Sequence, residues 1–443
     1  LKEKRGMSRK ERPCIFWFRR DLRLQDNHAL YEALRSGYKV QPVFIFDTAI
    51  LSKLEDHDDA RVSFIHRELR AINKQLEQQG SGIAFYHDEP NKAWEEIVKE
   101  FDPIAVYFNH DYEPYARKRD KEISDFLRQY HIAVYTFKDQ VIFEKEEVLK
   151  SNGEPYTVFT PYRNCWLAQL GESHLKNYPS ERHLAALRSH WQTIPTLKEL
   201  GFVATKQTFP SKSYKTVIGD YHHTRDIPAD EKGTSHLSVH LRFGTVSIRS
   251  LIKDARQASE KTWLNELIWR EFYMMILWHF PETVNKAFKS AYDRIHWRNN
   301  ESEFDAWCQG KTGYPLVDAG MRQLNETGFM HNRVRMVVAS FLCKHLLIDW
   351  RWGEAYFARK LQDYEQSSNV GNWQWAAGSG NDAAPYFRVF NPEIQLKKFD
   401  PKLVYAKRWI PELDDPFRYP SPIIEHKKAR ERALEVYKSA LKD

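Results

Sequence analysis

Along the first third of the chain, apolar positions come in short runs rich in β-branched and aromatic residues: Cys14–Phe18, Val40–Phe46, Gly82–Tyr86, Ile104–Phe108 and Ile132–Phe137. Between them lie stretches with helical spacing of apolar residues, Asn27–Arg35, Arg61–Gln79, Asn91–Glu100 and Tyr115–Gln129. Strand–helix alternation with short connections predicts an α/β domain built on a doubly wound parallel sheet. Such sheets bind ligands beyond the carboxyl ends of their strands. Here, however, the first run leads into Arg19-Arg20-Asp21-Leu22-Arg23 instead of a GxGxxG or GxxxxGK[ST] loop, which argues against an ordinary dinucleotide or ATP site.

The pattern then changes. Val141–Phe202 is irregular, with scattered Pro and Gly, and reads as a connector with short helices at Thr160–Leu170 and His183–Gln192. From about Leu237 the period is helical: Val246–Glu260, Lys261–Phe280, Glu303–Gln309, Tyr314–Thr327, Asn332–Leu347 and Trp352–Gln362, with a last amphipathic helix starting at Glu425. The expected organisation is an α/β domain over 12–142, a connector over 143–205 and an all-α domain over 206–443. Leu1–Gly6 precede Met7 and read as an upstream extension outside the fold.

With 443 residues, 42% of them apolar, the chain can bury a sizeable core. It has no apolar run of membrane-spanning length and no secretory segment, so no membrane partner and a cytoplasmic location are expected. Four widely spaced cysteines without a CxxC pair argue for a reducing compartment and against zinc. No HxH, HExxH or GxSxG spacing occurs, so neither a metal nor a hydrolytic nucleophile is expected. The net charge of +7 is compatible with a polyanionic substrate. Ten of the 14 tryptophans lie between Trp263 and Trp409. A Trp-rich core and a site for a flat cofactor or flat bases both account for that.

Four segments carry candidate chemistry. Gly233–Ser238 offers hydroxyls and backbone N–H groups just ahead of a helix, as an anion site or a simple cap. Glu266, Trp269 and Arg270 share one helix face, and so do Asn332, Arg335 and Met336, with Arg333 turned about 100° away. Asp363–Trp375 is polar, with solvation in a loop the plain alternative for Glu365, and turns abruptly aromatic at Trp373 and Trp375, a pair unusual for a surface loop.

Longer strings join these segments: FWFRRDLRLQDN (Phe16–Asn27), FTPYRNCW (Phe159–Trp166), EKGTSHLS (Glu231–Ser238), NELIWREFY (Asn265–Tyr273), KTGYPLVDAGMRQL (Lys311–Leu324), MHNRVRM (Met330–Met336) and NWQWAAGSGNDAAPYFRVFNP (Asn372–Pro392). Together, from Pro13 to about Leu413, they resemble the photolyase/cryptochrome family, specifically its class I cyclobutane pyrimidine dimer photolyases. The resemblance implies light-dependent repair of UV-damaged DNA by electron transfer from FAD. FAD would be held by Tyr221, Thr234, Ser235, Leu237 and Ser238 on the pyrophosphate side. Arg270, Asn332, Arg335, Asp363, Glu365 and Asn369 would surround the flavin and ribose, with the Asn369 amide against flavin N5. Glu266, Trp269, Asn332, Met336 and Trp375 would receive the flipped-out lesion. Arg225, Arg333 and Arg388 would grip the backbone phosphates, and Trp373, Trp350 and Trp297 would conduct an electron from the surface.

The family also allows a second, antenna chromophore, methenyltetrahydrofolate or a deazaflavin, with Asn109, Glu113 and Arg19–Arg23 as contributors. A monomer with no obligate protein partner is implied. Two alternatives share the fold. A cryptochrome photoreceptor is opposed by Asn369, where plant cryptochromes carry Asp. A (6-4) photolyase, which has paired histidines in this region, is opposed by His331-Asn332 standing as the pair and by Met336 at the later position. One departure from the family is Val370, where many members have a second Asn.

Overall fold

The computed structural model describes residues 12–442; Leu1–Gly6 lie outside them. The chain forms two compact units, one made of residues 12–144, 169–212 and 237–254, the other of residues 145–168, 213–236 and 255–442.

The first unit holds a five-stranded, all-parallel sheet in the order β3-β2-β1-β4-β5: β1 Cys14–Phe18, β2 Val40–Asp47, β3 Ala84–Asp88, β4 Ala105–Asn109 and β5 Ala133–Phe137. All five residues of β1 are buried, as a central strand covered on both faces requires. Helices α1 His28–Leu34, α2 Ala60–Glu77, α3 Pro90–Phe101 and α4 Pro114–Gln129 return the chain between strands. β3 begins two residues later than its apolar run. Ser81–Ile83 are engaged elsewhere: Ile83 N donates to Asn73 Oδ1 at 2.8 Å and Gly82 O accepts from Gln41 Nε2 at 3.1 Å.

The helix expected at His183–Gln192 is not formed beyond a single 3-10 turn at Leu184–Ala186. Its polar groups go to the sheet instead. Arg188 N donates to Val40 O at 2.8 Å, and the Gln192 amide pairs with both N and O of Phe85 at 2.9 and 3.1 Å. The segment thereby satisfies backbone groups of the neighbouring strands.

The arginine-rich stretch after β1 is used internally. Arg19 pairs with Asp120 and lies over Trp17 and Phe108 at 4.8 and 4.6 Å. Arg20 meets Asp111 at 3.0 Å, and Glu113 meets Arg242 at 2.6 Å. Arg23 and Arg249 share the buried Asp139 at 2.6 and 2.8 Å, and Asn109 donates to Asp21 at 2.6 Å. Buried charges persist only when paired in this way.

The second unit is helical. The helices that matter for the site are α5 Phe159–Gln169, α6 Thr262–His279, α7 Pro315–Thr327, α8 Asn332–Ser340, α9 Trp350–Lys360 and α10 Gln366–Ala377. One apolar core gathers Trp307, Phe341, Trp350, Phe357 and Trp373. Two expectations are corrected. Helix α8 ends at Ser340 and widens into a π-helical turn, Phe341–His345. That turn buries the Lys344 ammonium against Ala377 O and Tyr386 O at 3.0 and 3.1 Å. The segment after Glu365, which is not among the expected helices, is helix α10. Packing overrides its Ser-, Asn- and Gly-rich composition: a Cβ at Gly371 would sit 2.3 Å from the Tyr273 ring, so only Gly lets α6 and α10 approach this closely. Gln374 is buried yet fully engaged, donating to Thr283 O and Lys286 O and accepting from Phe288 N. The last helix is His426–Ala440.

Candidate cofactor and lesion site

Helices α8, α9 and α10 enclose a cleft with about 600 Å³ of space unfilled by atoms, its open mouth included. Asn332, Arg335, Met336, Asp363, Glu365, Asn369, Trp373 and Trp375 all line it. The segments from α8, the α9–α10 link and α10 therefore meet in space, and Asn332, Arg335 and Met336 share one face of α8. Phe357, Leu361 and Ala376 add apolar surface. A concave, mostly apolar surface with a few converging polar groups suits a cofactor.

The charged members come in pairs. Arg335 clasps Asp363 with both terminal nitrogens at 3.3 and 3.0 Å, and its Nε donates to Met330 O at 2.7 Å. Arg270, from α6, meets Glu365 at 3.3 Å, with both side chains nearly buried. These forks fix the acids in place with acceptor capacity left over for a ligand's hydroxyl or amino groups. Asn369 Nδ2 donates to Glu354 O and Oε1 at 3.1 and 2.9 Å. Glu354 also accepts from Tyr364 at 3.2 Å, and burial raises its carboxyl above the usual range, against the pull of those two hydrogen bonds. Val370, 3% exposed, faces the far side of α10, beside Tyr273 and Gln374. At this pair of positions it is Asn369 that lines the cleft.

Trp269 lies on α6 beside Glu266 and Arg270. Phe159 stacks on it at 3.6 Å and 9°, and Tyr273, one turn on, follows at 5.5 Å. The Phe159 backbone is held in turn by Asp382 at 3.1 Å. Glu266 accepts from Arg225 at 2.6 Å. Burial pushes the Glu266 carboxyl up, and Arg225 opposes that shift. Arg333 is not turned out to solvent: it pairs with Asp226 at 2.8 Å, and its Nη1 lies 3.5 Å from Met336 Sδ. Arg388 is exposed.

Of the residues expected on the pyrophosphate side, Tyr221, Thr234 and Ser235 belong to the helical unit and Leu237 and Ser238 to the sheet unit. The helix that follows, Ser238–Phe243, is capped at Leu237, whose side chain is buried and makes no capping bond. The anticipated hydroxyl N-cap is therefore not formed. Trp350 and Trp373 are each 2% exposed, and Trp297 packs at the edge of their core, edge-on to Tyr437 at 6.0 Å.

Sequence reasoning missed Phe159, Glu354 and Asp226. Phe159 opens one of the matched strings, but Glu354 and Asp226 carry no local signal. It also found no metal spacing, whereas the short helix at Tyr221–Thr224 brings the exposed Asp220, His222 and His223 together, with ligand atoms within 4.8 Å of one another.

His331 caps α8 through Nδ1, which accepts from Arg333 N at 3.2 Å, while its buried Nε2 meets no partner. Burial lowers its pKa to about 4. The folded state then binds fewer protons than the unfolded state between about pH 4 and 6.5, so stability must fall as pH drops through that window. From pH 7 to 5 this one group should cost about 2 kcal/mol. The expected result is that His331→Asn, which keeps a capping side chain, loses about that much less than the parent in urea unfolding at the two pH values.

Residues 14–180 match the DNA photolyase model and residues 263–417 the model of the FAD binding domain of DNA photolyase. The deoxyribodipyrimidine photo-lyase of Escherichia coli is 38% identical over 475 residues, covering 97% of this chain and 99% of that protein. A bacterial class III photolyase structure from Agrobacterium tumefaciens superposes with a TM-score of 0.88 at 34% identity, covering both chains fully. A Synechocystis cryptochrome structure gives 0.85 at 25% identity, covering 97% of this chain and 100% of that one. The chain therefore belongs to the photolyase/cryptochrome family and carries its FAD-binding domain.

Proposed function

We infer that this protein repairs cyclobutane pyrimidine dimers in UV-damaged DNA in a light-dependent reaction. The observation that carries the reading is the single cleft in which Asn332, Met336 and Trp375 stand beside Asp363, Glu365 and Asn369. Lesion-facing and cofactor-facing groups thus share one wall. The donor set fits FAD: two carboxylates are held by guanidinium groups for ribose and adenine, an amide faces the cleft for the flavin ring, and aromatic and aliphatic surface suits its flat face. FAD, when bound and fully reduced, supplies on illumination the electron that opens the cyclobutane ring.

The chain's own residues bind and position. Trp269, stiffened by Phe159, and Trp375 offer aromatic surface to a nucleotide taken out of the stack, at a cost of a few kcal/mol that is smallest for damaged bases. Glu266 and Asn332 hydrogen-bond the pyrimidine edges. Arg225, Arg333 and Arg388 engage phosphates, which position the duplex without reading its sequence. Tyr221, Thr234 and Ser235 take the pyrophosphate side of FAD. In this reading residues 206–443 do the chemistry, 143–205 connect, and 12–142 form the antenna domain.

The test is illumination of the FAD-loaded, reduced protein with oligonucleotides carrying either a cyclobutane dimer or a (6-4) lesion. Disappearance of the first only is expected. Persistence of the cyclobutane dimer would overturn the reading.

The tryptophan assignment has its own test. Trp373→Phe should block photoreduction of oxidised FAD while repair by chemically reduced protein continues. Equal photoreduction in the variant would move the electron route elsewhere.

A further inference from the structure

Two of the three arginines assigned to phosphate already face carboxylates. Arg333 donates through Nε and Nη2 to one oxygen of Asp226, at 3.1 and 2.8 Å, and its guanidinium lies 4.6 Å over Phe399. With Nη1 near Met336 Sδ, two of its five N–H groups remain for an incoming anion. Arg225 donates to Glu266 at 2.6 Å and lies 3.9 Å from the same Asp226 oxygen. Glu266, Arg225, Asp226 and Arg333 thus form an alternating chain of charges that sums to zero. Glu266 has a task in the proposed reaction. Asp226 has none: it does not line the cleft, and its side chain is 40% exposed beside the Arg333 guanidinium.

We propose that Asp226 is a built-in competitor for DNA phosphate, which holds down the grip of Arg225 and Arg333 and so limits retention on undamaged duplex. The inference rests on the DNA-repair reading above. A phosphate reaching the outer N–H groups of Arg333 comes within about 5 Å of the Asp226 carboxylate. Like charges at that separation, at an effective dielectric between water and protein surface, weaken binding by roughly tenfold. Because phosphate contacts carry no sequence or lesion information, damaged and undamaged DNA are weakened alike. Tight binding is then left to contacts that only a flipped-out lesion makes.

The experiment uses the full chain with FAD bound, in the dark. Asp226→Asn, Asp226→Ser and Asp226→Glu are titrated with an undamaged duplex and with the same duplex bearing one cyclobutane dimer, between 50 and 200 mM salt. Asp226→Asn and Asp226→Ser should bind both duplexes roughly five- to tenfold more tightly, with a salt slope steeper by about one charge's share. Asp226→Glu, which keeps the charge, should match the parent. Unchanged affinity for undamaged duplex overturns the proposal. Weaker binding also overturns it, and makes Asp226 a positioning residue for Arg333. If the parent shows no preference for the damaged duplex, the repair reading fails, while the proposal is still judged on the undamaged one. If no chain binds DNA, both fall.

Discussion

Asp363→Ala is expected to yield a protein that folds less stably and loses FAD. The Asp363 side chain is 7% exposed, and both its oxygens face the terminal nitrogens of Arg335 at 3.3 and 3.0 Å. Truncation leaves Arg335 in the cleft wall with its Met330 O contact and no facing acid. Breaking a buried pair costs about 3–5 kcal/mol; since Arg335 keeps a quarter of its surface exposed, about 3 kcal/mol is the reasonable figure. For a unit of this size that lowers the melting temperature by roughly 6–10 °C. Affinity for FAD should fall further, because the same change removes an acceptor and leaves a positive charge in the cavity. Flavin absorbance per mole of purified protein and thermal unfolding read the two effects. Flavin content and melting temperature equal to the parent's would show that the pair neither supports the fold nor holds the cofactor. Asp363→Asn, which keeps an acceptor, should fall between the two.

The second large effect is steric. Gly353 lies on α9, and an added Cβ would sit 2.1 and 2.4 Å from Trp373 Cη2 and Cζ3 and 2.6 Å from Leu342 Cδ2. The Trp373 ring is rigid and held edge-on by Trp307 and Phe357, so it cannot yield cheaply. Gly→Ala inside a helix ordinarily gains about 1 kcal/mol of propensity. Here the overpacking penalty of about 1–3 kcal/mol opposes that gain, and contacts below 2.5 Å place it at the upper end. Gly353→Ala should therefore destabilise by about 1–2 kcal/mol net. Because Trp373 lines the cleft, its displacement should also loosen FAD and change the near-UV circular dichroism. A variant more stable than the parent, with an unchanged tryptophan signal, would mean that the helices separate freely at this point.

Particular elements show how far local pattern reaches. The five strands and the first four long helices follow from apolar periodicity, because each buries residues in a regular relation to its own backbone. The i, i+3, i+4 sets on α6 and α8 were legible for the same reason. Helix α10 was not: its local preferences favour a turn, and only the Tyr273 ring against Gly371 and the three partners of Gln374 explain why it is helical. The stretch after Ala186 failed in the opposite direction, since its helix-like pattern is overruled by sheet hydrogen bonds at Val40 and Phe85.

By itself, the sequence determined the fold class, the order of elements, the chemical kinds gathered in the helical part, and the family to which they belong. Each of these depends on residue identity and spacing along the chain. Tertiary structure decided which of those groups meet: that Asn369 and not Val370 lines the cleft, that Phe159 covers Trp269, and that Arg225 and Arg333 are held by Glu266 and Asp226. Such pairings join residues far apart in sequence, and their energies depend on burial and on distances of a few ångströms. No local periodicity encodes either quantity.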